Sequence, residues 1–261
     1  MAENRASGHE GAEEAEEVID AEVVEAEEGY GEGVPCWVDA QLADVEAGKR
    51  FYGELFGWTF EGAYGSSVWA RLAGEPVASL APKIDGRMPT VWTVSFATPD
   101  AVALGRRITA AGGQLVMAPF PVGDLGVAAL AADPEGAVFG LWQPGRLRGF
   151  GRRHQPGTFV WAQLYTRDIA AANAFYGGLF HDALFGAGAR PDFGRADVTD
   201  VFPAEYPPHF LIHFRVTGLD DALGAVQRLG GRVQAPPFET SYGRVAVVTD
   251  NQGASFALLQ R

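Results

Sequence analysis

The side chains that could do chemistry are few, and they fall on alternating positions. In Cys36–Leu42, Trp37, Asp39 and Gln41 alternate with the small or apolar Cys36, Val38, Ala40 and Leu42. Trp161, Gln163 and Tyr165 alternate in the same way with Val160, Ala162 and Leu164, and His209 and His213 with Phe210, Ile212 and Phe214. Side chains two apart on a strand share a face, so each run presents one surface of indole, amide, carboxylate or imidazole groups. That mixture suits a flat or amphipathic small molecule. A carboxylate that orients an imidazole is also a workable general base near neutral pH. Cysteine chemistry is a poor fit, because Cys36 is the single cysteine and no Cys-x-x-Cys cluster exists.

Charge narrows the partners. The chain of 261 residues carries a formal charge of -13, and residues 1–32 hold twelve acidic side chains against Arg5 alone. The rest is nearly balanced and forms no basic stripe for a phosphate backbone, so no nucleic-acid partner is expected. No apolar run approaches a membrane span and the N-terminus lacks the order of a secretion signal, so a cytoplasmic protein without a membrane partner is expected. The acidic stretch lacks a lasting apolar period and reads as a disordered arm over 1–32.

The elements that position these residues come from an internal repeat. Asp44, Phe51-Tyr52 and Leu55-Phe56 recur 124 residues later as Asp168, Phe175-Tyr176 and Leu179-Phe180. Gly112-Gly113 recurs as Gly230-Gly231, and Gly126, Asp133 and Gly136 recur as Gly243, Asp250 and Gly253. Each half reads as a strand (Cys36–Leu42; Phe159–Tyr165), an Asp N-cap, a helix with an apolar stripe, then strands, with Gly57 ending the first helix. Within the first half, Val68–Leu72 and Pro76–Leu80 read as a hairpin. A strand over Val91–Ala97, a helix over about Asp100–Ala111 and strands near 114–117, 127–131 and 138–142 follow. The expected architecture is α+β, with a first domain over 33–144, a glycine- and arginine-rich, solvated linker over 145–157 and a second domain over 158–261.

The ordered set Asp44, Phe51-Tyr52, Leu55, Gly57, Ala111-Gly112-Gly113 and Asp133-Pro134-Glu135-Gly136 resembles the vicinal oxygen chelate superfamily of glyoxalases, bleomycin-resistance proteins and extradiol dioxygenases. It is most similar to tandem-domain members found in actinobacteria. The resemblance implies two glyoxalase-like domains, each of two βαβββ modules forming a cup-shaped sheet, so that one chain is a pseudo-dimer, monomeric or homodimeric in solution.

In metal-using relatives the ligand positions correspond to Trp37, Thr93, Gly140 and a place near Ser79, and in the second half to Trp161, Leu211 and Ala257. None of these supplies the converging imidazoles and carboxylates that a transition ion needs. The resemblance therefore implies cups that act without a metal or other cofactor. It also indicates which residues look into the two cups: Trp37, Asp39 and Gln41 and, in the second half, Trp161, Gln163 and Tyr165 from the opening strands, joined by Thr93, Trp142, His209 and His213, with Trp161, Gln163 and Thr93 expected in the cup opposite that of Asp39. Many relatives combine the opening module of one half with the second module of the other, which would set Asp39 opposite His209 or His213 as catalytic groups. Three functions stay open at this point: a small-molecule binding protein with an aromatic-lined cup, an enzyme acting by acid-base or metal chemistry, and a scaffold whose cups are filled by their own tryptophans.

Overall fold

A computed structural model describes residues 29–261 except 84, 88, 188 and 190; most of the expected acidic arm lies outside the described residues. The first module runs β1 (Pro35–Leu42), α1 (Val45–Phe56), β2 (Thr59–Gly62), β3 (Val68–Leu72) and β4 (Glu75–Pro82). The second runs β5 (Val91–Ala97), α2 (Ala101–Ala110), β6 (Gln114–Val122), β7 (Gly126–Ala132) and β8 (Val138–Pro144). They join through an antiparallel β1–β5 pair into one eight-stranded sheet of order β2-β3-β4-β1-β5-β8-β7-β6.

The second half has β9 (Phe159–Thr166), α3 (Ile169–Leu179), α4 (His181–Phe185), β10 (Phe193–Asp197) and a 3-10 turn at Val198–Asp200. It continues with β11 (His209–Arg215), α5 (Leu219–Arg228), β12 (Arg232–Thr240), β13 (Gly243–Thr249) and β14 (Ser255–Gln260). Its sheet has six strands, ordered β10-β9-β11-β14-β13-β12. The β2–β3 hairpin has no counterpart there: α4 lies between α3 and β10, where residues 181–192 carry no alternating pattern that could make a strand.

Local signals explain the helices. Asp44 and Asp168 each accept a hydrogen bond, at 2.9 Å, from the backbone N–H three residues on (Ala47 and Ala171). Asp100 caps α2 in the same way, accepting from Val102 and Ala103. Gly57 closes α1 at φ 74°, a left-handed conformation that costs glycine little.

The helix-bearing faces of the two sheets meet in one continuous core. Phe56 of α1 packs 5.0 Å from Phe214 of β11, and Phe180, just after α3, stacks 5.2 Å from Phe96 of β5. Buried tyrosines fasten this contact reciprocally. Tyr52 donates to Asp250 at 2.8 Å and Tyr176 to Asp133 at 3.1 Å, each tyrosine reaching the Asp-x-x-Gly turn of the opposite half. The next side chains of those turns add to the tie: Gln252 accepts from the Asp44 N–H (2.7 Å) and donates to its carbonyl (2.8 Å), while Glu135 accepts from the Thr166 hydroxyl and the Arg167 N–H. The Asp-x-x-Gly turns are thus ties between halves. The concave faces are left on the outside of the pair.

Segment 145–157 joins the halves but is packed, not solvated. Phe150 is buried between Trp37 (5.7 Å) and Phe159 (4.9 Å, stacked), and its N–H donates to the Cys36 carbonyl at 2.9 Å. Buried Arg153 pairs with Asp192. Residues 29–32, expected as part of the arm, also pack: the Tyr30 hydroxyl donates to the Phe150 carbonyl, and Glu32 pairs with Arg107 at 2.7 Å. Aromatic rings with partners in both sheets gain more from burial than a flexible tether would from solvation.

Candidate functional site

Strand register builds the first cup. Asp39 of β1 lies beside Ser79 of β4 and Thr93 of β5, and Ser79 lies beside Trp69 of β3. Trp37 and Gln41 flank Asp39 on the same face, and Ser95 lies beside Gly140 of β8. The floor is deep: Trp37, Thr93, Ser95 and Trp142 are buried, whereas Asp39, Gln41, Trp69, Ser79 and Ala81 are half-buried towards the mouth. Where the two edges of the sheet approach, the Tyr64 ring lies over Gly123, so close that a Cβ there would be 3.0 Å from it.

Polar contacts fix these side chains. The Trp37 indole N–H donates to the Ser79 hydroxyl at 3.0 Å, and the Gln41 amide donates to Asp39 Oδ2 at 2.9 Å. Burial pushes the Asp39 carboxyl up to about 6, partly offset by the Gln41 hydrogen bond. Trp142 donates to the Leu147 carbonyl at 2.8 Å, which makes it a closing wall tied to the connecting segment. Trp69 and the hydroxyl of Ser79 complete the lining; the period-two pattern of the hairpin strands is the signal that finds Trp69.

The second cup is filled. Trp161 donates its indole N–H to Gln163 Oε1 at 3.0 Å and lies over Gly194, where a Cβ would come within 2.6 Å of the ring. Phe202 and Tyr206, from the connection between β10 and β11, close over Tyr165 and His209; Phe202 is 5.0 Å from Tyr165 and 4.7 Å from His209. Val198, Leu211, Val245, Val247, Ala257 and Leu259 complete a separate small core. No regular period marks this plug in the sequence, since residues 201–208 form neither helix nor strand.

Both histidines lie in this second cup, 1 % exposed in the case of His213. Burial lowers His213 to about 4, against the opposing effect of hydrogen bonds to the Leu211 and Trp161 carbonyls, so the ring is neutral near pH 7. Burial likewise lowers His209. The His209 Nδ1 lies 2.9 Å from the Pro207 carbonyl, which puts its proton there, and its buried Nε2 has no hydrogen-bond partner. Opening the plug by Phe202→Ala should let water reach this ring and move its titration upward into the usual imidazole range. An NMR titration checks this; an unmoved midpoint would show that Phe202 does not keep water from the ring.

The expected pairing of Asp39 with His209 or His213 does not occur. β1 pairs with β5 and β9 with β11, each within its own half, so Asp39 looks into one cup and the histidines into the other. Backbone edges decide this, since the side chains carry no mark of which module a strand edge will meet.

Comparison with known proteins agrees with this architecture. A family model described as the glyoxalase/bleomycin resistance protein/dioxygenase superfamily matches residues 37–141. A Mycobacterium tuberculosis protein named "Putative glyoxylase CFP32" is 36% identical over 250 residues, covering 88% of this chain and 96% of that one. The chain belongs to the glyoxalase/bleomycin resistance protein/dioxygenase superfamily. A further superfamily relative, the anthracycline biosynthesis protein DauV of Streptomyces sp., is 34% identical over 88% of this chain and 94% of its own. Among solved structures, the 2,3-dioxygenase LapB of Pseudomonas sp. KL28 shares the fold with a TM-score of 0.61 at 14% identity, covering 89% of this chain and 93% of that one. The Mn(II)-bound glyoxalase of Novosphingobium aromaticivorans does so with 0.58 at 14%, over 87% and 82%.

The residues present do not fit a divalent metal. Trp37, Ser79, Thr93 and Gly140 stand at the matched positions of the first cup, and a Cβ on Gly140 would lie 2.1 Å from Ser95 Oγ. In the second cup the corresponding residues are Trp161, Gly194, Leu211 and Ala257. Among the described residues no group of three or more His, Cys, Asp or Glu converges on one point. No helix among them is long and apolar enough to cross a membrane.

Proposed function

We propose that this protein is a cytoplasmic small-molecule binding protein that holds an aromatic or amphipathic ligand in its first cup, without a metal ion. One observation carries the reading: the first cup keeps a half-buried mouth of Trp69, Gln41 and Ala81 over a floor of indole, hydroxyl and carboxylate groups, whereas the second is closed by its own side chains. A cup needs only shape and a few placed polar groups to bind such a molecule. The anthracycline biosynthesis name of one relative supports a flat aromatic body. Within this reading the tandem halves make a pseudo-dimer, and nucleic acid and membrane play no part.

Small molecules carried through purification and identified by mass spectrometry test this. Wild type should retain a stoichiometric organic compound, and Ala81→Trp, which fills the mouth, should lose at least about tenfold of it. Equal retention by both, or a transition ion held by side chains of the first cup, would overturn the reading.

A second reading is favoured by one observation. A carboxyl raised to about 6 is poised to take and return a proton near neutral pH, so the same cup could run metal-free acid-base chemistry through Asp39. Turnover that rises with pH through about 6 and vanishes in Asp39→Asn is the expected signature; His209 and His213 take no part in it.

A further inference from the structure

The charge inside the first cup is one-sided. Strands β1, β4, β5, β6, β7 and β8 contain no Lys, Arg or His. The eight-stranded sheet has one basic residue, Arg71 of β3, and it is already engaged: it pairs with Glu61 at 2.6 Å, donates to the Gly74 carbonyl at 2.6 Å and lies over the Trp69 ring at 5.2 Å. Asp39, half-buried towards the mouth, is therefore the lone charge among the residues of β1 and β5, with Lys83 just beyond the end of β4. Its recorded hydrogen bond is the neutral amide of Gln41, and among the described residues no cationic group comes within ion-pair distance of it.

The donors around Asp39 are neutral: the Gln41 amide, which donates to it, and the hydroxyls of the neighbouring Ser79 and Thr93. The one indole N–H beside it, on Trp37, is taken by Ser79. What remains towards the mouth is the carboxylate and the half-buried Trp69, while the Trp37 ring is buried against Phe150. An indole face attracts cations through its quadrupole, and the Arg71 guanidinium over Trp69 shows that attraction at work in this wall.

The duplication provides an internal control. The position of Asp39 in the second half is Gln163, whose Oε1 accepts from Trp161 Nε1 at 3.0 Å. A neutral amide at this place therefore satisfies the fold, and the filled cup has one. The half-open cup instead has a carboxylate, and its indole donor is diverted to a serine that the second half replaces with Gly194. A partly desolvated carboxylate without a counter-charge is costly, and the fold does not require it.

We infer that the first cup recognises an organic cation, a small aromatic or amphipathic molecule bearing an ammonium group that rests on Asp39 with its apolar body along the half-buried Trp69. The inference rests on the proposed reading of this cup as a binding site and names the ligand class that completes it. The ammonium supplies the positive charge that Asp39 lacks among its neighbours, and Trp69 takes the apolar body. A neutral or anionic molecule of the same shape would leave the carboxylate uncompensated or repelled.

Three probes of one shape separate the outcomes: 4-phenylbutylammonium, 4-phenylbutanol and 4-phenylbutyrate, titrated into the full chain by calorimetry and by tryptophan fluorescence. At pH 7.5 the ammonium should bind at least about tenfold tighter than the other two, a factor in the range of a charge-assisted contact. Because Asp39 must be ionised, its affinity should fall when the pH is lowered from 7.5 to 5, while that of the alcohol stays constant. Asp39→Asn, which mimics the amide of Gln163, should remove the preference and keep the alcohol's affinity. The pH arm on wild type tests the same claim should that variant fail to fold. Equal or tighter binding of the alcohol or the carboxylate overturns the cation and leaves the cup. Preference for the ammonium that survives in Asp39→Asn overturns the role of Asp39. Failure of all three probes to bind overturns both the ligand class and the cup.

Discussion

Replacing Asp250 by Ala lowers the stability of this protein by about 3–5 kcal/mol, the range for stripping a buried charged acceptor from several donors. Asp250 is 2 % exposed and accepts from the Tyr52 hydroxyl, the Gln252 N–H and the Ala254 N–H, all at 2.8 Å. Tyr52 is itself fully buried and takes a 2.9 Å hydrogen bond from Trp92 Nε1, so the chain Trp92, Tyr52, Asp250 runs from one half into the other. Burial, reinforced by the charge of Asp250, holds the Tyr52 phenol well above its usual range, which keeps it a donor. Tyr52→Phe should cost less, about 1–2 kcal/mol, because the carboxylate keeps its two backbone donors. The double variant should cost less than the sum of the two, since the sites are in contact. Asp133→Ala should match Asp250→Ala, as Asp133 accepts from Tyr176, Glu135 and Ala137 in the same geometry. Urea unfolding checks these values. A loss below about 1 kcal/mol for Asp250→Ala would show that the shared apolar core alone holds the halves together.

Asp39→Asn should act in the opposite direction, making the protein more stable while removing its cation preference. The folded-state value of about 6 lies above the ordinary 3.8 because burial penalises the charged form. Folding therefore favours the protonated carboxyl, and wild-type stability falls as pH rises from about 4 to about 6. Asparagine has no such loss. The variant should match wild type near pH 4 and exceed it above pH 6.5 by up to about 3 kcal/mol. Denaturant midpoints measured from pH 4 to 8 trace the difference. An advantage that does not grow with pH would mean that Asp39 is ionised without penalty. A residue that weakens the fold yet improves a site is a common trade between stability and function.

Much of the fold is legible in the residues. The Asp44 and Asp168 caps, the left-handed Gly57 and the apolar stripe of Phe51, Tyr52 and Phe56 are short-range signals, and each does locally what its chemistry requires. The repeat is legible because each module must bury the same helix face. The inward parity of Trp37, Asp39 and Gln41 follows from the two-residue period of a strand, given one anchor on which face is concave. The packing of the connecting segment is not legible in its sequence, because Gly and Arg dominate it, yet one aromatic, Phe150, finds rings in both sheets. The absence of a strand pair in the second half left no period to read, and the role of Phe202 and Tyr206 depends on a backbone path that no short motif encodes.

Composition and spacing by themselves determined the duplicated α+β fold, the helix caps and the residues on each strand face, because all of these depend on neighbours close in sequence. Tertiary structure alone decided that each sheet closes within its own half, that Asp39 never meets the histidines, that one cup is plugged and the other keeps a lone carboxylate. Backbone edges carry the same hydrogen-bonding groups in every strand, so pairing is settled by how whole layers pack, and the meeting of distant side chains follows from that packing.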